Sequence, residues 1–135
     1  MDESAKNIQE KRILIVDDEP DLVKYLDTLL KDNGFSTITA SDGKIGMEKA
    51  IAEQPDLITL DISMPEESGV RMFSELQEDS RTSSIPVVIV TGLSADFKRF
   101  MNYLERKKRL LPPAEYFEKP IEKEPFITKI KEILG

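Results

Sequence analysis

With 135 residues and a net charge of −7, the chain is sized for one domain burying about two thirds of its unfolded surface, and its acidity argues against nonspecific binding to nucleic acid or anionic lipid. It contains neither Cys nor His, which removes disulfides, thiolate and imidazole metal sites, cysteine nucleophiles, Ser-His-Asp catalysis, and any role as a histidine kinase or phosphohistidine carrier. The polar first eleven residues hold no signal-peptide core and no apolar run approaches the roughly 20 residues of a membrane span, so a soluble, cytoplasmic protein is expected.

Residues 1 to 11 read as a frayed, charged lead-in to a domain over 12–135. A first strand is predicted at Arg12 to Val16, apolar after Arg12 as suits a parallel strand covered on both faces. The first helix starts near Pro20, carries Leu22, Val23, Leu26, Leu29 and Leu30 at helical spacing, and ends at Asn33-Gly34. A second strand covers about Phe35 to Ala40. The second helix begins near Asp42-Gly43, with Ile45, Ala50 and Ile51 inward, and stops before Pro55. Leu57 to Leu60 form the third strand. Ser68 is placed to cap a third helix with Val70, Phe73 and Leu76 inward. The fourth strand runs from Val87 to Val90, and the fourth helix puts Phe97, Phe100, Met101 and Leu104 on one face. A fifth strand is expected at Ala114 to Phe117. The fifth helix opens around Pro125 and buries Phe126, Ile127, Ile130, Ile133 and Leu134. This alternation predicts an α/β fold, a doubly wound (βα)5 unit with helices on both faces of a five-stranded parallel sheet.

The strand ends carry the chemistry. Asp17 and Asp18 follow the first strand, Asp61 the third and Thr91 the fourth, while Lys119-Pro120 follows the fifth. In an open parallel sheet those carboxyl ends lie along one edge, where ligands of such folds bind. Three converging carboxylates repel one another by roughly 4 kcal/mol per close pair at an effective dielectric near 20, so the cluster calls for a cation. Without imidazole or thiolate the donors are oxygens, which suit a hard ion, and Mg2+ is usual where phosphates are handled.

In order and spacing, Asp17-Asp18, Asp61 with Met64-Pro65 and Gly69, Thr91-Gly92, Tyr116 and Lys119-Pro120 resemble the receiver domain of two-component response regulators, from about Lys11 to Leu134. The resemblance implies a flavodoxin-like strand order of 2-1-3-4-5. It makes Asp61 the phosphoacceptor, with Asp18 and Asp61 as direct Mg2+ ligands, Ser63 ligating through its backbone carbonyl and Asp17 through water. Thr91 and Lys119 then stabilise the phosphoryl oxygens, and Tyr116 is the switch aromatic that turns inward as Thr91 moves. The implied donor is a histidine kinase or a histidine phosphotransfer protein. Its output is a changed face on the fourth helix, fifth strand and fifth helix, read by a downstream protein or by a second copy in a phosphorylation-dependent homodimer. On that reading the chain is no enzyme beyond its own self-phosphorylation and autodephosphorylation, and it binds neither nucleic acid nor membrane.

Three other readings compete. One is a receiver domain belonging to a longer regulator with a C-terminal effector; within this sequence the fifteen residues after Pro120 are expected to form one helix, so any output of these 135 residues is expected on their own surface. A phosphohydrolase of the haloacid dehalogenase type needs a second acid two residues after its nucleophile, where this chain has Ser63. A flavodoxin-like nucleotide binder needs a phosphate loop after the first strand, where Asp17-Asp18-Glu19-Pro20 is acidic. The chain departs from the receiver pattern between Thr91 and Lys119, where it is several residues longer and Lys98 to Arg109 hold six basic residues and one acid. Lys98, Arg99 and Arg106 to Arg109 are expected to meet an acidic partner or an acidic surface of a second copy.

Overall fold

The computed structural model describes residues 11–92 and 94–135. Apart from Lys11, the expected lead-in lies outside them. Strands β1 (Arg12–Val16), β2 (Ser36–Ala40), β3 (Leu57–Asp61), β4 (Val87–Thr91) and β5 (Glu115–Glu118) alternate with helices α1 (Pro20–Asp32), α2 (Gly43–Glu53), α3 (Ser68–Glu78), α4 (Ser94–Arg106) and α5 (Lys123–Leu134). Every ladder is parallel and the order is β2-β1-β3-β4-β5, the flavodoxin-like order implied by the resemblance.

Side-chain alternation along each strand splits the core in two. Leu14, Val16, Ile58, Leu60 and Ile89 meet Met47, Ala50, Met72, Phe73 and Phe100, which places α2, α3 and α4 over one face. Ile13, Ile15, Leu57, Val88 and Val90 meet Leu26, Leu30, Phe126 and Ile130, which places α1 and α5 over the other. Each fully buried Leu, Ile or Val contributes about 1.5–3 kcal/mol, so the two layers supply most of the driving force. The central strand β3 and its neighbour β4 are buried along their whole length.

Close approaches pack α3 against the carboxyl end of β3 and α2 against α3. A Cβ on Gly69 would lie 2.1 Å from the Asp61 carbonyl oxygen, so only glycine lets α3 start against the end of β3. Likewise, a Cβ on Gly43 would lie 2.3 Å from the Ser68 carbonyl oxygen, and glycine there brings α2 onto α3.

Several boundaries differ from the sequence reading. Ser68 is the first residue of α3 rather than its cap: Glu67 precedes the helix in the left-handed region (φ 57) and makes no side-chain cap. The Ser68 hydroxyl instead accepts from the Gly43 amide at 3.3 Å, because the tight 3-10 turn at Pro65–Glu67 aims it across at α2. β3 and β4 each run one residue further, taking in Asp61 and Thr91. β5 begins at Glu115, one residue later than expected, and includes Glu118, whose position pairs with Thr91. Pro125 falls within the first turn of α5, where a missing N–H costs nothing, and the helix opens at Lys123. On α2 the buried residues are Gly43, Gly46, Met47 and Ala50, leaving Ile45 and Ile51 only half-buried.

Candidate functional site

Register brings the strand ends together. Val16 pairs with Leu60 and Asp61 with Val90, so the residues at the ends of β1, β3 and β4 meet at one edge. Asp17 is 2% exposed, Asp61 1% and Thr91 3%, which is unusual for polar side chains and holds them in a low-dielectric setting. Lys119, carried just past β5, reaches back over the edge: its Nζ lies 3.3 Å from Asp17 Oδ2, 3.3 Å from Asp61 Oδ2 and 2.7 Å from Glu19 Oε1. Its own amide donates to the Thr91 carbonyl at 2.8 Å, tying the lysine to the end of β4. The Lys119-Pro120 peptide bond is cis.

One ammonium thus serves two buried carboxylates and one exposed one. Burial pushes the Asp17 carboxyl up to about 6; an amide hydrogen bond from Glu19 opposes the rise and the Asp61 charge adds to it. Burial pulls the Lys119 ammonium down, but Glu19, Asp61 and Asp17 outweigh that pull and leave it above its usual value. Carboxylate oxygens of Asp17, Asp18, Glu19 and Asp61 all lie within 4.8 Å of one another. This all-oxygen donor set, underserved by a single ammonium, fits a hard divalent cation.

Two residues play a larger part than the sequence suggested. Glu19 is the nearest partner of Lys119, and the only hint of it in the sequence is a third acid before Pro20. The Ser63 hydroxyl accepts from the Gly92 amide at 3.2 Å and lies 3.4 Å from Thr91 Oγ1, while its amide donates to Asp61 Oδ1 at 2.8 Å. No sequence pattern signals that hydroxyl, because the contact joins loops 28 residues apart. Tyr116 lies away from the carboxylates, edge-on to Phe97 at 5.2 Å and to Phe100 at 6.3 Å between ring centroids. A small cavity bounded by Thr91, Phe97, Tyr116, Phe117 and Glu118 separates it from the fourth strand's end. The site therefore unites Asp17, Asp18, Asp61, Ser63, Thr91 and Lys119, with Tyr116 one layer behind.

Comparisons with known proteins agree with this geometry. The family model described as "Response regulator receiver domain" matches residues 13–131. The chain is 32% identical to Protein PilH of Pseudomonas aeruginosa over 124 residues, 92% of this chain and 98% of that protein. It is 33% identical to the alkaline phosphatase synthesis transcriptional regulatory protein PhoP of Bacillus subtilis over 92% of this chain, and spans only 48% of PhoP's length. The crystal structure of response regulator protein TrrA from Thermotoga maritima, in complex with Mg(2+)-BeF, superposes with a TM-score of 0.75 at 27% identity, covering 91% of this chain and 98% of that one. Among the described residues no helix is long and apolar enough to cross a membrane. A (βα)5 sheet whose edge gathers carboxylates, a hydroxyl and a lysine, matched along nearly its whole length by these relatives, places the chain in the receiver-domain family of two-component response regulators.

Proposed function

We propose that this chain is a phosphorylation-driven signalling switch in which Asp61 accepts a phosphoryl group from a phosphohistidine on a histidine kinase or phosphotransfer protein. The observation that carries this reading is the Lys119 ammonium 3.3 Å from a fully buried Asp61 carboxylate that ends the central strand. A carboxylate oxygen of Asp61 attacks phosphorus, the P–N bond to the donor imidazole breaks, and its electron pair returns to the ring nitrogen. Asp17, Asp18 and Asp61, with the Ser63 carbonyl, would hold Mg2+, which when bound supplies positive charge to the transferring oxygens. Lys119 offers a further positive charge 3.3 Å from Asp61 Oδ2. Thr91 offers a hydroxyl across the edge, and it is buried together with Asp17 and Asp61. Positioning and charge are nearly all that phosphoryl transfer asks of a protein.

The same contacts link chemistry to output. Once a phosphoryl group draws Thr91 and Lys119 toward Asp61, the segment between them, α4 and β5, is displaced, and Tyr116 has the cavity beside Thr91 to turn into. Two charge-assisted bonds at about 1.5–3 kcal/mol each approach the roughly 5.5 kcal/mol needed to move a switch from 1:99 to 99:1. Incubation with acetyl phosphate and Mg2+ is expected to add the mass of one phosphoryl group, read by intact-protein mass spectrometry, and Asp61→Asn is expected to abolish it. Addition persisting in that variant would overturn the assignment.

A further inference from the structure

The long connection between α4 and β5 is unused by the site, and it is firmly built. Leu110 turns inward, 8% exposed, while Leu111 is 71% exposed and is the one large apolar side chain exposed among the described residues. The backbone of Leu111 is held on both sides by one side chain: its amide donates to Gln77 Oε1 at 2.7 Å, and Gln77 Nε2 donates to its carbonyl at 2.6 Å. Arg109 pairs with Glu78 at 2.9 Å and fastens the same loop to the end of α3. A leucine presented on fixed backbone needs little further ordering when a partner covers it. Just before it in the chain, Arg106, Lys107 and Lys108 are exposed and basic.

A complement lies elsewhere on the same chain. Between α2 and α3 runs a groove of about 720 Å³, floored by Met47, Met64 and Met72 and lined by five acids, among them the exposed Glu48, Glu66 and Glu75, against two exposed bases, Lys44 and Arg71, so that it is acidic on balance. Methionine floors adapt readily to an incoming apolar side chain. Glu75 and Gln77 are two residues apart on α3, so the groove and Leu111 lie on roughly opposite flanks of that helix. With its amide and carbonyl both pinned on the far flank, Leu111 cannot fill its own groove.

We propose that the chain self-associates head to tail, Leu111 and the basic residues that precede it on one copy seating in the methionine-floored, net acidic groove of a second. Such a contact uses two different patches, so it propagates into short chains or a ring instead of closing as a symmetric dimer. Patches of this size belong to weak, transient association, and the ionic rim makes it salt-sensitive.

Sedimentation velocity of the 135-residue chain over a concentration series into the millimolar range tests this. At low salt the weight-average sedimentation coefficient is expected to rise with concentration, and added salt to reduce the rise. Leu111→Asp should abolish it, as should Lys107→Glu with Lys108→Glu, and so should Glu48→Lys with Glu75→Lys, each with wild-type thermal melting. Mixing Leu111→Asp with the groove variant should restore a one-to-one dimer and nothing larger, since one intact leucine then meets one intact groove. A wild-type chain that stays monomeric, a rise that survives Leu111→Asp, or a mixture that stays monomeric overturns the proposal.

Discussion

Lys119 faces three carboxylates at once, and the nearest of them, Glu19, is the most exposed, its side chain 60% accessible against 2% for Asp17 and 1% for Asp61. On the proposed mechanism Glu19 competes with the phosphoryl group for the ammonium. Glu19→Gln is therefore expected to keep the fold, since an exposed ion pair is worth about 0.2–1 kcal/mol, and to speed acetyl-phosphate labelling of Asp61. A labelling rate that falls tenfold or more would instead assign Glu19 to cation binding. The same crowding makes the fold responsive to Mg2+. For a dissociation constant on the order of 1 mM, about 10 mM Mg2+ adds roughly 1.4 kcal/mol, read as a higher melting temperature. Asp18→Asn should raise stability without the metal and remove that gain. Melting indifferent to Mg2+ in the unmodified chain would count against the site.

Among the elements, α1 and β2 are joined by a polar latch. The Thr37 hydroxyl on β2 donates to Asp27 Oδ1 on α1, and Lys31 pairs with the other Asp27 oxygen at 3.2 Å. The Thr37 hydroxyl, with Lys31 adding to it, lowers the Asp27 carboxyl below its ordinary 3.8. A carboxyl depressed on folding stabilises the native state above its unfolded pKa, and the contribution is lost as pH falls through the depressed value. Thr37→Val should therefore be less stable than the unmodified chain at neutral pH, and the deficit should shrink as pH drops below 3.8. Urea unfolding at several pH values checks this, and a deficit independent of pH would place its origin in packing. The helices were legible because their apolar spacing is regular. By contrast, the α3 start was misread at Ser68, since its true entry depends on left-handed backbone at Glu66 and Glu67, residues with no intrinsic preference for it.

For the whole molecule, the proposed switch predicts where motion appears. Beryllofluoride with Mg2+ should change amide hydrogen exchange across α4, β5 and the start of α5, because Thr91 and Lys119 bracket that segment and Tyr116 packs on Phe97 and Phe100 within it. The edge-on pair of Phe100 with Phe73, at 5.2 Å, carries the same packing onward to α3. Changes confined to α1 and α2 would rule out this output face.

The sequence by itself determined the alternating strands and helices, the parallel sheet, and the polar residues at the strand ends, since these follow from local periodicity and turn chemistry. Asp17, Asp18, Asp61, Thr91 and Lys119 were all legible for that reason. Only the tertiary structure decided that Glu19 holds Lys119, that the Ser63 hydroxyl bridges to Thr91 and Gly92, and that Gln77 pins Leu111 outward. Each of these joins positions 28 to 100 residues apart, where nothing local marks one side chain as the partner of the other.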